Sequence, residues 1–162
     1  MSEVPELLER LRRGAEMVAV SITGAAGSEL DYVPEPGKWS IRQIVAHLAD
    51  AEMVAGMRLR RIIAEDNPRM EAYDQNAWAT NLDYTRRKTS PALETFRRIR
   101  GENYELLKEL PAAVFEREGL HSERGRMSLK LLLQIIAEHA ENHASQIRTR
   151  RAEFKAQKAA TK

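Results

Sequence analysis

Two histidines four residues apart, His139 and His143, are the part of the chain best suited to chemistry. On a helix, residues at this spacing lie one turn apart on the same face, so both imidazoles point towards one place. They continue an apolar stripe that includes Leu129, Leu132 and Ile136, with the spacing typical of a buried helix face. Ring nitrogens without a partner there would cost a few kcal/mol. A metal ion is one possible partner, and ordinary hydrogen-bonded or surface histidines are the alternative.

A third histidine, His47, lies far upstream at the edge of the apolar arc of another predicted helix. A bundle would bring the inward faces of the two helices together. Three neutral imidazoles with an open position are typical of a catalytic rather than a structural metal site. Zinc and nickel both accept nitrogen ligands of this kind, so we expect one of these divalent metals as the cofactor.

The residues around the histidine pair exclude two familiar metalloprotease motifs. These motifs place a glutamate directly after the first histidine or directly before the second. Here Ala140 and Asn142 occupy those two positions. Glu141 is predicted to project from the opposite side of the helix, because two residues turn an α-helix by about 200°.

Two polar residues are candidates for supporting the metal ligands. Gln146 lies one turn beyond His143 and projects along the same face. Asp50 follows His47 by three residues and could accept a hydrogen bond from the N–H of a ligand. The alternative for Asp50 is an ordinary surface carboxylate.

Two other titratable residues are predicted to have no part in the chemistry. Glu52 falls within an apolar arc, so we expect it to form a structural ion pair with a buried arginine, a tyrosine being another possible partner; the alternative is that it reaches the site. His121 lies between Gly119 and Gly125 and is predicted to be an ordinary loop residue.

Four long amphipathic segments must position these residues. Apolar periodicity predicts helices over about 5–24, 40–64, 90–111 and 128–154. The second begins with a capping box formed by Ser40 and Gln43, and a hydrophobic staple between Trp39 and Ile44 predicts that the tryptophan is largely buried. Ser90 is the predicted N-cap of the third helix.

The connections complete the predicted fold. Residues 69–89 contain a predicted short helix around 74–80, and residues 111–127 are predicted to form a loop or a short hairpin. No strand-like alternation of useful length is present elsewhere. The pattern predicts one all-α domain over residues 1–162, an up-down four-helix bundle with a long crossover between the second and third helices.

Composition restricts the class of protein. The 162 residues include no cysteine, which excludes disulfides, thiolate ligands and cysteine nucleophiles. Basic and acidic residues number 26 and 24, so a nucleic-acid partner is not expected, and the basic end of the chain is interpreted as a solvated helix terminus. Neither a membrane-spanning stretch nor a leader segment is recognisable, and we expect a cytoplasmic protein.

Three segments together resemble a known family. Residues 36–52 read PGKWSIRQIVAHLADAE, residues 73–79 read YDQNAWA, and residues 139–147 read HAENHASQI. In order and spacing they are similar to the signature segments of the DinB-like superfamily. The resemblance implies an up-down four-helix bundle in which His47, His139 and His143 bind a divalent metal. Trp78, in the middle segment, is a candidate pocket residue.

The resemblance also implies a choice of functions. Related branches include metal-dependent hydrolases and S-transferases that use low-molecular-weight thiols, and members are often homodimers. A metal-dependent enzyme acting on a small molecule, with or without a thiol cosubstrate, is therefore the leading hypothesis. A non-catalytic, stress-associated bundle that binds a metal or ligand is the alternative.

Overall fold

The computed structural model describes residues 3–161, and four long helices dominate it. The helices are α1 (Val4–Ile22), the short α2 (Ser28–Asp31), α3 (Ile41–Ala64), the short α4 (Gln75–Asn81), α5 (Thr89–Lys108) and α6 (Leu129–Ala160), with 3₁₀ turns at Tyr84–Arg86 and Ala112–Glu116. The predicted four-helix bundle and its long crossover between α3 and α5 are confirmed.

The packing of the long helices determines where the histidines meet. Helix α1 packs mainly against α6 and α5, and α3 packs mainly against α5 and α6. This arrangement places α1 and α3 at opposite corners of the bundle. The two helices that carry the histidines, α3 and α6, are direct neighbours.

The apolar core consists of two layers stacked along the bundle axis. One layer includes Leu11, Leu59 and Leu107, and the other includes Val18 and Phe96. On every long helix the two layers occupy separate stretches, which leaves a boundary zone between them. The buried polar residues of α3 and α5, and the partly buried His139 of α6, lie in or next to this zone.

The start of α3 follows the predicted capping chemistry. The Ser40 hydroxyl accepts a hydrogen bond from the Gln43 amide at 3.3 Å, and the Gln43 side chain accepts one from the Ser40 amide at 3.0 Å. Trp39 packs against the apolar layer that contains Ile44. However, Trp39 is only half-buried, because its ring lies at the edge of the bundle, with its centroid 5.0 Å from that of His47.

Two helix ends differ from the prediction. Helix α5 begins at Thr89 with Lys88 as its N-cap, so Ser90 lies inside the first turn and the prediction that it caps the helix was wrong. Helix α6 continues to Ala160, beyond the predicted end near residue 154. Its last turns are tied to the bundle because Arg150 donates to the Trp39 carbonyl at 2.8 Å.

A small sheet was not anticipated in full. Strands β1 (Arg69–Met70), β2 (Glu118–His121) and β3 (Gly125–Ser128) lie in the order β1-β2-β3, with β1 parallel to β2 and β2 antiparallel to β3. The β2–β3 pair confirms the predicted hairpin. The two residues of β1 are too few to produce a recognisable alternation. The sheet connects the chain after α3 to the hairpin before α6.

Within residues 3–161, none of the helices is both long enough and apolar enough to span a membrane.

Candidate metal centre

Three histidine side chains converge where α3 and α6 pack together. His47 Nε2 lies 3.0 Å from His139 Nε2, which in turn lies 3.1 Å from His143 Nε2. One nitrogen from each ring falls within 4.8 Å of the other two. His47 is buried, whereas His139 and His143 are half-buried, so the cluster is closed on the α3 side and can be approached from the other.

Gln146 determines which ring nitrogen of His143 is unprotonated and directs its lone pair towards the cluster. The Gln146 side-chain oxygen lies 2.8 Å from His143 Nδ1. An amide oxygen only accepts, so Nδ1 carries the proton and Nε2 of the neutral ring is unprotonated. A lone pair aimed at two other ring nitrogens is the form in which imidazole binds a metal.

The environment keeps the three rings neutral. Burial, with a contribution from the neighbouring His143, lowers the pKa of His47 to about 4. Burial also lowers the pKa of His139 to about 2, with smaller contributions from His143, His47 and Arg100. The pKa of His143 is lowered by burial as well, although Gln146 opposes the shift. Uncharged imidazoles are therefore available at neutral pH without prior loss of a proton.

Asp50 is buried but faces a different partner from the one expected. Its carboxylate accepts a hydrogen bond from the Tyr84 hydroxyl at 2.7 Å and lies 3.5 Å from the Arg87 guanidinium. Burial and this carboxylate raise the pKa of Tyr84. Within residues 3–161, the buried His47 Nδ1 has no hydrogen-bond partner. Asp50 therefore connects α3 to Tyr84 and Arg87 of the crossover and makes no hydrogen bond to a histidine of the cluster.

The tryptophan beside the histidines is Trp39, which the sequence marked only as a staple residue. Trp78, the predicted pocket residue, instead stacks on Tyr73 with a centroid separation of 4.5 Å. It packs against the small cluster formed by Ala46, Ala79 and Tyr84. Trp78 therefore supports the chain next to His47, and the Trp39 ring covers His47 itself.

Glu52 forms the buried ion pair predicted for it. Its carboxylate accepts hydrogen bonds from Arg100 at 2.7 Å and from Asn103 at 3.2 Å, and the Asn103 amide oxygen accepts one from Arg60 at 2.8 Å. Arg100 also donates to the carbonyl of Ile136 at 3.1 Å. The prediction that Glu141 faces away is also confirmed, because its carboxylate pairs with an arginine of α1.

A cavity of about 140 Å³ leads to His139. It lies between α3, α6, the segment after β1 and the β2–β3 hairpin. His121 lines this cavity and is 5% exposed, so its prediction as an ordinary loop residue was wrong. The two flanking glycines suggested a loop, but Gly119 lies within β2 and His121 is the last residue of that strand.

The histidine cluster fits a divalent transition metal. Tetrahedral zinc at 2.0–2.1 Å from each ligand nitrogen requires nitrogens about 3.3 Å apart. The observed separations of 3.0 and 3.1 Å are close to this value. Nitrogen atoms of neutral imidazoles suit zinc and nickel better than magnesium or calcium. The three residues could therefore hold such an ion with a further position left for water or substrate.

Comparison with known proteins yields relatives of one kind. A protein of Oceanobacillus iheyensis is 33% identical over 119 residues, which cover 74% of this chain and 69% of that protein. A protein of Geobacillus kaustophilus is 28% identical over 149 residues, covering 90% and 82% of the two chains. Both carry the name "putative metal-dependent hydrolase".

A solved structure shares the fold. YfiT of Bacillus subtilis, described as a probable metal-dependent hydrolase with an unusual four-helix bundle topology, superposes with a TM-score of 0.88. The match covers 96% of this chain and 90% of YfiT at 23% identity. The family model of the DinB superfamily matches residues 7–147, a span that includes all of α3 and α5, most of α1, the first part of α6 and the three histidines. The chain therefore belongs to the DinB superfamily.

Proposed function

We propose that this protein is a metal-dependent hydrolase of a small-molecule substrate, with a divalent zinc or nickel ion bound by His47, His139 and His143. The observation that carries the proposal is the convergence of three neutral imidazoles, with separations of 3.0 and 3.1 Å between their Nε2 atoms. The names of the relatives support the same reaction class.

A divalent metal at this position would act as a Lewis acid that lowers the pKa of a bound water or thiol. The surrounding residues prepare the site for that role. Gln146 orients the His143 ring, and Trp39 covers His47 and excludes water from the α3 side. The half-buried faces of His139 and His143 leave room for a substrate to approach.

Transfer of a thiol to an electrophile is the second candidate reaction. The chain contains no cysteine, so the sulfur would have to come from a low-molecular-weight cosubstrate. A thiolate is the nucleophilic form of a thiol, and a Lewis acid favours it just as it favours ionised water. The two reactions differ in which molecule is ionised.

The proposal is tested by measuring metal content and turnover together. Purified protein reconstituted with Zn²⁺ or Ni²⁺ is expected to contain one ion per chain and to hydrolyse members of an ester and amide panel. A parallel assay with glutathione, bacillithiol or mycothiol and an electrophile tests the thiol reaction. His47→Ala should abolish metal binding and turnover. Asn142→Ala, an exposed position on α6, should change neither.

Two outcomes would redirect the proposal. Stoichiometric metal without turnover in any assay would favour the non-catalytic binding role. Metal bound equally by wild type and His47→Ala would remove the proposed centre. The expected homodimer and cytoplasmic location stay predictions, to be tested by sedimentation equilibrium and by cell fractionation.

A further inference from the structure

The cavity that reaches His139 has two chemically different walls. Its apolar wall comes from the bundle and consists of Val54, Ala55, Met127, Leu132, Ile135 and Ile136. The opposite side carries hydrogen-bond donors on Arg58, Tyr73, His121 and Arg124. A cavity with one hydrophobic wall and a few convergent polar groups is typical of a binding site for a small organic molecule.

The cavity runs along the bundle away from the histidine cluster. On α3 its lining residues extend from Ala51 to Arg58, and on α6 from His139 back to Leu132. Each stretch covers eight residues, and its ends are about 10 Å apart along the helix axis. Arg58 therefore belongs to the end of the cavity that is remote from His139.

Arg58 is a half-buried cation without a counterion. Its guanidinium donates to the backbone carbonyl of Glu71, and no carboxylate among residues 3–161 lies within ion-pair distance of it. The same holds for Arg124 on the hairpin. Burial lowers the pKa of Arg58, and the positive charge of Arg124 contributes to that shift. Two guanidinium groups near one another in a partly buried site are unfavourable unless an anion lies between them.

The carboxylate that lines the cavity cannot fill this role. Glu52 is already paired with Arg100 at 2.7 Å and accepts from Asn103 at 3.2 Å. His121 adds another donor rather than an acceptor. Its Nδ1 accepts from the backbone amides of Glu123 and Arg124, so the proton of the neutral ring is on Nε2.

We propose that the cavity binds the oxyanion of an acidic substrate, a carboxylate or a phosphate, between Arg58 and Arg124. Planar guanidinium groups pair with such oxyanions through two parallel hydrogen bonds. A short apolar portion of the molecule lies along Leu132 and Ile136, and its reacting end lies at His139. This inference rests on the proposed function for the reacting end alone; the oxyanion site itself requires no metal.

The experiment measures anion binding to protein treated with a chelator, so that the probe cannot bind a metal. Hexanoate, hexyl phosphate and the neutral hexan-1-ol are titrated by calorimetry. Hexanoate or hexyl phosphate should bind at least tenfold more tightly than hexan-1-ol, and whichever binds more tightly identifies the oxyanion. Arg58→Gln and Arg124→Gln should each weaken that binding at least tenfold. Arg148→Gln, which alters an exposed arginine of α6, should have no effect.

Controls separate the possible failures. Circular dichroism verifies that each variant is folded. If Arg58→Gln does not fold, Arg124→Gln, which changes an exposed residue, and the milder Arg58→Lys decide the result. Arg58→Lys is expected to weaken binding threefold to tenfold. Equal binding of hexanoate, hexyl phosphate and hexan-1-ol, or of the best probe to wild type and Arg124→Gln, would overturn the inference. Normal metal binding with that result would leave the proposed function standing. Anion binding without metal binding would support the oxyanion site and remove the metal centre.

Discussion

Two clusters of polar residues lie side by side inside this bundle, and they satisfy their polar groups in opposite ways. In the Arg100 cluster, formed by Glu52, Arg60, Arg100 and Asn103, opposite charges and amide groups bond to one another. In the histidine cluster, His47, His139 and His143 are uncharged, and their Nε2 atoms face one another. In the first cluster the Glu52 carboxylate has its counterion within the chain, although Arg100 Nε and Nη1 have no hydrogen-bond partner among residues 3–161. In the second cluster the facing groups are all imidazoles, which could hold a cation.

Burial alone does not distinguish a residue that stabilises the fold from a residue of a binding site. Glu52 and His47 are on the same helix and are both at most 2% exposed. The distinguishing property is the kind of group that each one faces: Glu52 faces a cation and an amide, whereas His47 faces another imidazole. A buried group whose partner is supplied by the chain stabilises the fold, and a buried group that faces its own kind indicates a binding site.

The largest effect is expected when two histidines of the histidine cluster are replaced. We expect His139→Ala/His143→Ala to weaken Zn²⁺ binding by at least about a thousandfold, since four-ligand zinc sites bind with roughly 10–16 kcal/mol in total. Competition titration with a chromogenic chelator measures the affinity. The free energy of unfolding of the chelated protein should fall only by the packing and hydrogen bonds lost with two half-buried rings, because no metal contributes to it. Affinity equal to wild type would contradict the assignment.

The second prediction concerns the Arg100 cluster, where we expect a loss of stability and little change in zinc affinity. Arg100→Met leaves the Glu52 carboxylate buried without its ion-pair partner, which should cost about 3–5 kcal/mol of unfolding free energy. Urea denaturation measures this loss. The double variant Glu52→Leu/Arg100→Met serves as the control and should lose less, because no charge is stranded. Zinc affinity of folded Arg100→Met should stay within about threefold of wild type; a larger drop would show that the two clusters act as one.

The third prediction concerns pH and the chelated protein. The pKa values of His47 and His139 are lowered to about 4 and about 2, whereas an unfolded histidine titrates near 6.5. Below pH 6.5 the unfolded chain therefore binds more protons, so stability is full above that value and declines as pH falls towards the folded pKa values.

The expected loss at pH 5 is on the order of 2 kcal/mol for each of these histidines. Urea denaturation at intervals from pH 8 to pH 5 measures it. The His139→Ala/His143→Ala variant should show a smaller decline, because only the His47 contribution remains from the cluster. A flat profile for wild type would mean that the rings are not shielded from protons.

The smallest effect tests the support of one ligand. We expect Gln146→Leu to lower zinc affinity tenfold to a hundredfold, because His143 loses the acceptor that fixes its tautomer. Gln134→Leu, on the same helix and remote from the histidines, is the control. The unfolding free energy should change by less than about 1 kcal/mol. An unchanged zinc affinity would indicate that packing alone orients the His143 ring.

The sequence was sufficient to predict the bundle and the three histidines because their signals are local. The four-residue spacing of His139 and His143 places them on one helix face, and the apolar arc around His47 indicates an inward position. The capping box at Ser40 sets the start of α3 from four consecutive residues. Such patterns depend on helix geometry, which does not change with tertiary context.

The rest of the site depends on contacts between segments distant in sequence. Arg58 and Arg124 line the same cavity because β1 pairs with β2, and a two-residue strand produces no periodic signal. His121 faces the cavity for the same reason. Asp50 has the helical phase of a residue near the ligands, but Tyr84 from the crossover takes its carboxylate. No spacing rule connects positions that only the folded chain brings together.

The small sheet lies outside the helical bundle that holds the histidines, and its β2–β3 hairpin lines the cavity. The histidines belong to helices held by two apolar layers, whereas Arg124 and His121 are attached to a hairpin that contributes little to those layers. Exposed residues of the hairpin, such as Arg124, can therefore be replaced at small cost to folding, whereas the buried Met127 cannot. Over evolutionary time, such a protein is expected to acquire new substrates by substitutions in the β2–β3 hairpin, while the histidine cluster stays the same.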